Sequence, residues 1–266
     1  MQGVIVCGAA GRMGSTIVRL VHQSGTMKVA GAIEAPANPH LDKDAGEVAG
    51  VGSIGVPIAV ELLPMLKGQV LVIEFSAPEA TLEHARLAAK KKVPIVIGTT
   101  GLDQAQLTEI KKLSRQTPML LSANMSLGVN LLVSLLGKVA KTLGDDYDVE
   151  IIEAHHRFKK DAPSGTALAL GRAAAEGLGR NLDQVGINGR KGIVGERTKK
   201  EIALLSVRAG DIVGDHTVIF GGIGERLEFI HRAHSRETFA QGALRAARWL
   251  AKQKPGFYGM QDVLEL

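Results

Sequence analysis

The sequence predicts an α/β chain in two parts: a mostly parallel sheet covered by helices on both faces, followed by a smaller α+β unit built on a mixed sheet. Three observations carry this. Short β-branched runs alternate with helical periodicity over the first 125 residues. That alternation stops near Ser126. Three later runs then follow one another with connections too short to hold crossover helices.

The elements follow in order. Residues 3–7 read as a buried strand by length and β-branching, and a glycine turn leads into a helix over 12–24, closed by Gly25. Residues 28–33 form the second strand. The stretch 35–57, rich in Gly, Pro, Asn and Asp, reads as a mobile loop. Strands at 70–75, 93–97 and 119–121 repeat the theme, with helices over 78–91 and 103–115. Beyond Ser126 the pattern predicts a helix over 127–143, a half-exposed strand over 147–152, a helix over 164–177 and a polar, glycine-rich stretch over 179–200. Antiparallel strands at 202–207, 211–220 and 226–230 come next. The final helix, 238–252, is expected to pack back on the first part.

Composition narrows the function. With 45% apolar and 22% charged residues the chain is no disordered polymer. No uninterrupted apolar run approaches the ~18 residues a bilayer requires, and no charged segment with a long apolar stretch opens the chain, so a cytoplasmic protein without a membrane partner is expected. Cys7 is the only cysteine, which excludes an intrachain disulfide framework and a Cys-rich zinc site. The net charge of +5 raises a nucleic-acid partner, but aromatics are only 3% and no run of five like charges marks a basic arm. An anionic small molecule accounts for the bias with fewer assumptions.

Gly8-Ala9-Ala10-Gly11-Arg12-Met13-Gly14 lies between the first strand and the first helix. Its G-x-x-G-x-x-G spacing is a variant of the dinucleotide fingerprint, in which glycines let a pyrophosphate approach backbone N–H groups at a positive helix end. Glu34 ends the second strand ~20 residues further on, where an acid can hydrogen-bond the adenosine ribose. The other reading is an ordinary strand-to-helix turn with a solvated acid. Arg12 can stack on adenine, meet a 2′-phosphate, or simply be exposed. Gly98-Thr99-Thr100-Gly101 and Ser122-Ala123-Asn124-Met125 follow two further strands, and ligands in open α/β sheets bind outside the carboxyl ends of strands, so the three turns should converge on one crevice.

The densest polar constellation is Glu153-Ala-His155-His156-Arg157-Phe-Lys159-Lys160-Asp161-Ala-Pro-Ser164-Gly165-Thr166. Five of the six residues at 155–160 can be cationic, a density that invites an anionic ligand. Ser164 or Asp161 is a candidate cap for the next helix, whose first N–H groups, at Gly165 and Thr166, suit a carboxylate. A solvated basic loop is the competing reading. No His-Glu-x-x-His pattern occurs and His231-x-x-His234 lacks carboxylate or Cys company, so no metal is expected. Cys7 reads as a small core residue, and no G-x-S-x-G elbow supports a serine hydrolase.

Taken together, the first glycine turn, Gly98-Thr-Thr-Gly101, Glu153-Ala-His-His156, Lys159, Asp161-Ala-Pro-Ser-Gly-Thr166 and Arg208-Ala-Gly-Asp-Ile-Val-Gly-Asp-His216 resemble the bacterial dihydrodipicolinate reductase family, in order along essentially the whole chain. The resemblance implies an oxidoreductase of lysine and diaminopimelate biosynthesis that transfers hydride from NADH or NADPH to 4-hydroxy-tetrahydrodipicolinate, with loss of its 4-hydroxyl. It implies His155 as general acid/base and Lys159 as proton donor, with His156, Gly165 and Thr166 on the substrate carboxylates. Residues 8–13, Glu34, 98–100 and 122–125 would line the dinucleotide. It also implies a Rossmann domain of residues 1–126 with 237–266, a substrate-binding and oligomerisation domain of 127–236, and a homotetramer built through the latter. Many members carry Arg directly after the ribose-binding acid. Here that position is Ala35, which makes NADH at least as good as NADPH. The rival readings are another NAD(P)-dependent oxidoreductase of a carboxylated substrate, and a dinucleotide sensor without catalysis.

Overall fold

In the computed structural model, which describes all 266 residues, β1 (Gln2–Cys7) is buried on both faces: Val4, Ile5, Val6 and Cys7 have no exposed surface. Only a central strand with helices on either side accommodates four such residues in a row. The chain continues through α1 (Arg12–Gln23), β2 (Met27–Ile33), α2 (Ala45–Val48), β3 (Ile58–Ala59), β4 (Val70–Glu74), α3 (Pro78–Lys91), β5 (Ile95–Ile97), α4 (Gln104–Leu113) and β6 (Pro118–Leu121). Then follow α5 (Leu127–Leu143), β7 (Asp148–His155), α6 (Gly165–Gly177), α7 (Leu182–Val185), β8 (Gly186–Ile187), β9 (Ile202–Arg208), β10 (Gly214–Gly221), β11 (Arg226–Ala233), α8 (Glu237–Leu250), β12 (Gly256–Tyr258) and α9 (Met260–Leu264).

Two compact units result, Met1–Leu127 with Arg236–Glu265 and Gly128–Ser235 with Leu266. The first is a seven-stranded sheet in the order β12-β6-β5-β4-β1-β2-β3, with every pairing parallel. Strand order reverses between β1 and β4, so the ends of β1, β2 and β4 open a crevice at the switch point. α1 turns Ile17, Val18 and Val21 into the core, and α4 starts on a reciprocal cap between Asp103 and Gln106.

Two expectations need correction. The stretch 35–57 is ordered: the Asp44 carboxylate accepts the N–H groups of Gly46, Glu47, Ile54, Gly55 and Val56 and the hydroxyl of Ser53. Desolvation alone would raise this carboxyl, but the N–H donors outweigh it and hold its pKa at about 2. β9 pairs in parallel with β7, because residues 156–201, including α6, supply the crossover that the spacing from β9 onward does not reveal. β10 runs antiparallel to β11, as expected, and also to β7. Residues 127–146 form a 20-residue helical stretch with an 18-residue window of mean hydropathy 1.3, which by length and composition alone could cross a bilayer, while its Leu132, Leu136 and Ala140 pack in a core. Asn130, Lys138 and Lys141 interrupt its apolar runs and hide it from a search for uninterrupted ones.

The second unit is a five-stranded sheet in the order β11-β10-β7-β9-β8. One face packs Val149, Ile151, Leu204, Val218 and Phe220 against Leu132, Leu136 and Ala140 of α5 and Leu170 and Ala174 of α6. In the first unit, α8 lies so close to the turn after β6 that a Cβ at Gly242 would come within 1.7 Å of the Met125 carbonyl oxygen. Gly242→Ala should therefore destabilise the protein by about 2–3 kcal/mol through backbone displacement. Chemical denaturation checks this, and a loss under about 0.5 kcal/mol would show that α8 is free to shift.

Candidate active site

The first glycine turn is dictated by close approach. Gly8 has φ +75°, and a Cβ there would lie 2.4 Å from the Phe75 carbonyl oxygen. A Cβ on Gly14 would lie 2.0 Å from the Gly8 oxygen, so α1 can start only with glycine at that point. The first N–H groups of α1 have no intrahelical partner and face the positive end of the helix. Glu34, just past β2, accepts the Ala10 N–H at 2.9 Å and its neighbour's, Ala35, at 3.2 Å.

Two cavities open along these strand ends. One of about 830 Å³ is lined by Gly8, Ala10, Gly11, Glu34 and Ala35, with Asn38, Glu61, Ala77, Glu83 and His84 around them. A second, of about 360 Å³, is lined by Met13, Gly98, Thr99, Thr100, Ala123, Asn124 and Met125, with Phe239. Phe75 and Ser76 line both, which the sequence reading missed. A Cβ on Gly98 would meet the Phe75 ring at 2.2 Å, so that glycine makes room for the aromatic wall.

Three of the residues selected for the dinucleotide line neither cavity. Ala9 is buried in the core, Arg12 is exposed at the start of α1, and Ser122 turns its hydroxyl onto the Asn124 carbonyl at 2.7 Å. Thr99 and Met125 are also buried, Thr99 through a hydroxyl contact to Thr81 at 2.8 Å. A crevice rimmed by backbone N–H groups, with an acid on the second strand and a helix N-terminus at its edge, fits a dinucleotide.

In the second unit the strand expected over 147–152 runs on to His155. Alternation then places Glu153 and His155 on the same side as buried Val149 and Ile151. The registers set Ser206, Glu153, His216 and His231 side by side across β9, β7, β10 and β11, one polar row through an apolar face. Glu153 has no exposed surface, and Arg208 grips it with two nitrogens, Nη1 to Oε2 at 2.8 Å and Nη2 to Oε1 at 2.7 Å. The Ser164 N–H donates to Oε1 at 3.1 Å, and His155 Nδ1 sits 2.6 Å from Oε2. Burial by itself would raise this carboxyl, yet Arg208, His155 and Ser206 hold its pKa at about 2.

His155 is thereby fixed with Nδ1 on Glu153 and Nε2 free. A Cβ at Gly214 would stand 3.1 Å from that Nε2, so glycine keeps the space beside it clear. Burial lowers the His155 pKa, Glu153 opposes this, and Lys159 and Arg208 add to the lowering. His216 meets His155 edge to face at 5.3 Å between ring centres and lies 3.2 Å from the Ser164 hydroxyl through Nε2. Desolvation, with His155 and His231 nearby, pushes the His216 pKa down to about 4.

Lys159 pairs with Asp161 at 2.9 Å, while Arg208 also donates to the Asp161 carbonyl at 2.7 Å, tying the 159–161 loop to the buried carboxylate. Of the two candidate caps, Ser164 caps α6, accepting the Ala167 N–H at 3.2 Å. His156 is half-buried, with its ring 6.3 Å from that of exposed Phe158. Gly165 opens α6 with nothing within 4 Å of its would-be Cβ and no left-handed φ, so the fold itself does not demand glycine there.

The comparisons with known proteins bear on the whole chain. Residues 2–125 match the family model described as dihydrodipicolinate reductase, N-terminus, and residues 128–264 the one described as dihydrodipicolinate reductase, C-terminus. The chain belongs to the dihydrodipicolinate reductase family. As in that family, it is an oxidoreductase of pyridine nucleotides. A 4-hydroxy-tetrahydrodipicolinate reductase of Syntrophus aciditrophicus is 53% identical over 99% of this chain and 98% of its own. One of Hahella chejuensis is 49% identical over the full length of both. Among solved structures, a dipicolinate-bound dihydrodipicolinate reductase from Paenisporosarcina sp. TG-14 superposes with a TM-score of 0.78 at 24% identity, covering 98% of this chain and 99% of its own, a likeness of fold.

The polar row makes this reductase acid-sensitive in a defined window. Unfolded, His216 takes a proton near its ordinary ~6.5; folded, only near 4. The unfolded state thus binds more protons between those values, and unfolding free energy should fall as pH drops through them, with a slope of up to ~1.4 kcal/mol per pH unit. Denaturant titrations from pH 7 to 4 should show His216→Gln flattening this slope. An unchanged slope would place the sensitivity elsewhere.

Proposed function

We propose that the chain reduces 4-hydroxy-tetrahydrodipicolinate to tetrahydrodipicolinate with NADH or NADPH, in lysine and diaminopimelate biosynthesis. The observation that carries this reading is the His155 imidazole, locked by Glu153–Arg208 with Nε2 free, in the same loop cluster as Lys159 and the uncrowded N-terminus of α6. Residues 1–126 with 237–266 serve the nucleotide, and 127–236 serve the substrate and oligomerisation. Neither nucleic acid nor a membrane enters this reading.

The nucleotide, when bound, supplies the hydride. Gly8, Ala10, Gly11 and Met13 hold its phosphates and Glu34 its ribose, while Gly98, Thr99, Thr100, Ala123, Asn124 and Met125 take the remainder, the buried ones through backbone alone. Ala9, Arg12 and Ser122, which line neither cavity, would meet the nucleotide only from the flanks of these turns. Substrate carboxylates are held by His156 and by the Gly165 and Thr166 N–H groups at the positive end of α6. Glu153 accepts the Nδ1 proton of His155, so Nε2 is the atom that gives and takes the proton as the 4-hydroxyl departs as water. Lys159, kept in place by Asp161, donates the proton that completes the reduced ring. Because burial lowers the His155 pKa, Nε2 is unprotonated and able to act as base at neutral pH.

The larger cavity also supports the nucleotide preference. Glu34, Glu61 and Glu83 line it, and no Lys or Arg does. A 2′-phosphate entering there meets like charge, and Ala35 supplies no cation to offset it. NADH is therefore at least as good as NADPH. The outer face of the five-stranded sheet supports a homotetramer: Leu205, Ile152, Thr217 and Ile230 form a cross-strand row there, with Ile230 half exposed.

Lys159→Ala should lower kcat by ~10²–10⁴-fold while NADH affinity stays within about twofold. Stopped assays of nicotinamide absorbance together with nucleotide titration check this, and a parallel fall of both would break the division of labour between the units. Substrate-independent nucleotide binding without oxidation would favour a sensor, and oxidation of a different carboxylated compound another oxidoreductase. Titrations at equal salt should show NADH binding at least as tightly as NADPH; NADPH binding about tenfold tighter (~1.4 kcal/mol) would overturn the electrostatic argument.

A further inference from the structure

Cys7 of β1, Glu74 of β4 and His84 of α3 meet behind the wall of the larger cavity, and nothing in the reaction uses them. Their sulfur, carboxylate and imidazole ligand atoms all lie within 4.8 Å of one another. Cys7 and Glu74 have no exposed surface; His84 is 9% exposed and is the one of the three that lines the cavity. His84 Nδ1 sits 2.6 Å from Glu74 Oε2, the Cys7 thiol donates to the same carboxylate, and the Ser76 N–H donates to Oε1 at 2.9 Å.

One thiol, one imidazole and one carboxylate make a donor set for a borderline or soft divalent cation. The charge also balances. A thiolate and a carboxylate together neutralise a dication, so the filled site carries no net charge into the protein interior, where an unbalanced one would be expensive. We propose that Cys7, Glu74 and His84 bind a thiophilic divalent cation, Zn²⁺ or Cd²⁺, and that this inhibits the enzyme. The Cys7 S–H bond breaks, its proton leaves to solvent, and a metal–sulfur bond forms with no change of oxidation state. His84 gives up its Nδ1 proton to solvent and takes one at Nε2, so the imidazole stays neutral and the freed Nδ1 lone pair binds the metal. Filling the site draws Glu74 away from Ser76, which lines both cavities, and so weakens nucleotide binding. That last step rests on the nucleotide occupying these cavities; the metal chemistry does not.

Titration of the nucleotide-free protein with Cd²⁺, followed by the ultraviolet cadmium–thiolate charge-transfer band, tests the site, since Cys7 is the only cysteine. A band saturating at one cation per chain is expected, absent in Cys7→Ala and requiring about tenfold more Cd²⁺ or greater in His84→Gln. Cys7→Ala should keep its turnover and lose sensitivity to Zn²⁺, whereas the wild type loses nucleotide affinity as Zn²⁺ is added. No band in folded protein, or an unchanged titration in His84→Gln, would overturn the site. A band without any effect of the cation on nucleotide affinity would overturn the inhibition.

Discussion

Glu153 holds a full negative charge at 0% exposure within a sheet whose inner face is otherwise apolar, and a carboxylate there persists only if its partners surround it. Each partner then acquires a place. Arg208 must cross from β9 to supply two hydrogen bonds, and in doing so it also fixes the Asp161 carbonyl. The Ser164 N–H must point inward, which sets where α6 begins. His155 must present Nδ1, which decides the nitrogen left for chemistry. One buried charge thus orients a base, a lysine-bearing loop and a helix N-terminus, and removing it would strip Arg208 of its carboxylate partner and leave it only the Asp161 and Val207 carbonyls.

The first unit reaches its geometry differently. Its crevice is shaped by what glycine omits: backbone passes within 2.4 Å of where a Cβ at residue 8 would be and within 2.0 Å at residue 14. Side chains matter there chiefly as walls, Phe75 among them, and as the acid Glu34 bonded into the turn through Ala10. Recognition by main chain tolerates little repositioning, whereas the second unit relies on side chains held by ion pairs.

Much of this was legible in the sequence. The parallel strands and their helices are visible because each buried strand is a continuous apolar run, and α3 and α5 fall on the residues their periodicity indicates. The ordered loop at 35–57 was not, since its order depends on one acid, Asp44, collecting donors up to twelve positions away. The parallel β9 was hidden because pairing depends on a crossover remote from the strand. Site residues lying in one stretch, His155 to Thr166, were found together. Glu153 drew no role, and Gly214 and His216 acquire theirs only through sheet register, as cross-strand neighbours from β10. The signal available was Glu153 in phase with Val149 and Ile151, an acid at an inward position that has to be paired.

The interleaving of the two units along the chain has a consequence for synthesis on the ribosome. Residues 128–235 are contiguous and can complete their sheet as soon as they emerge. The earlier-made residues 1–127 cannot finish theirs, because α8, with Glu237 bound to Arg19 at 2.8 Å, and β12, the strand beside β6, are translated only afterwards. Until then the β6 edge offers unpaired backbone to any neighbouring nascent chain. The part made first is therefore completed last, and the interval is the protein's most exposed moment to misassociation and to capture by chaperones.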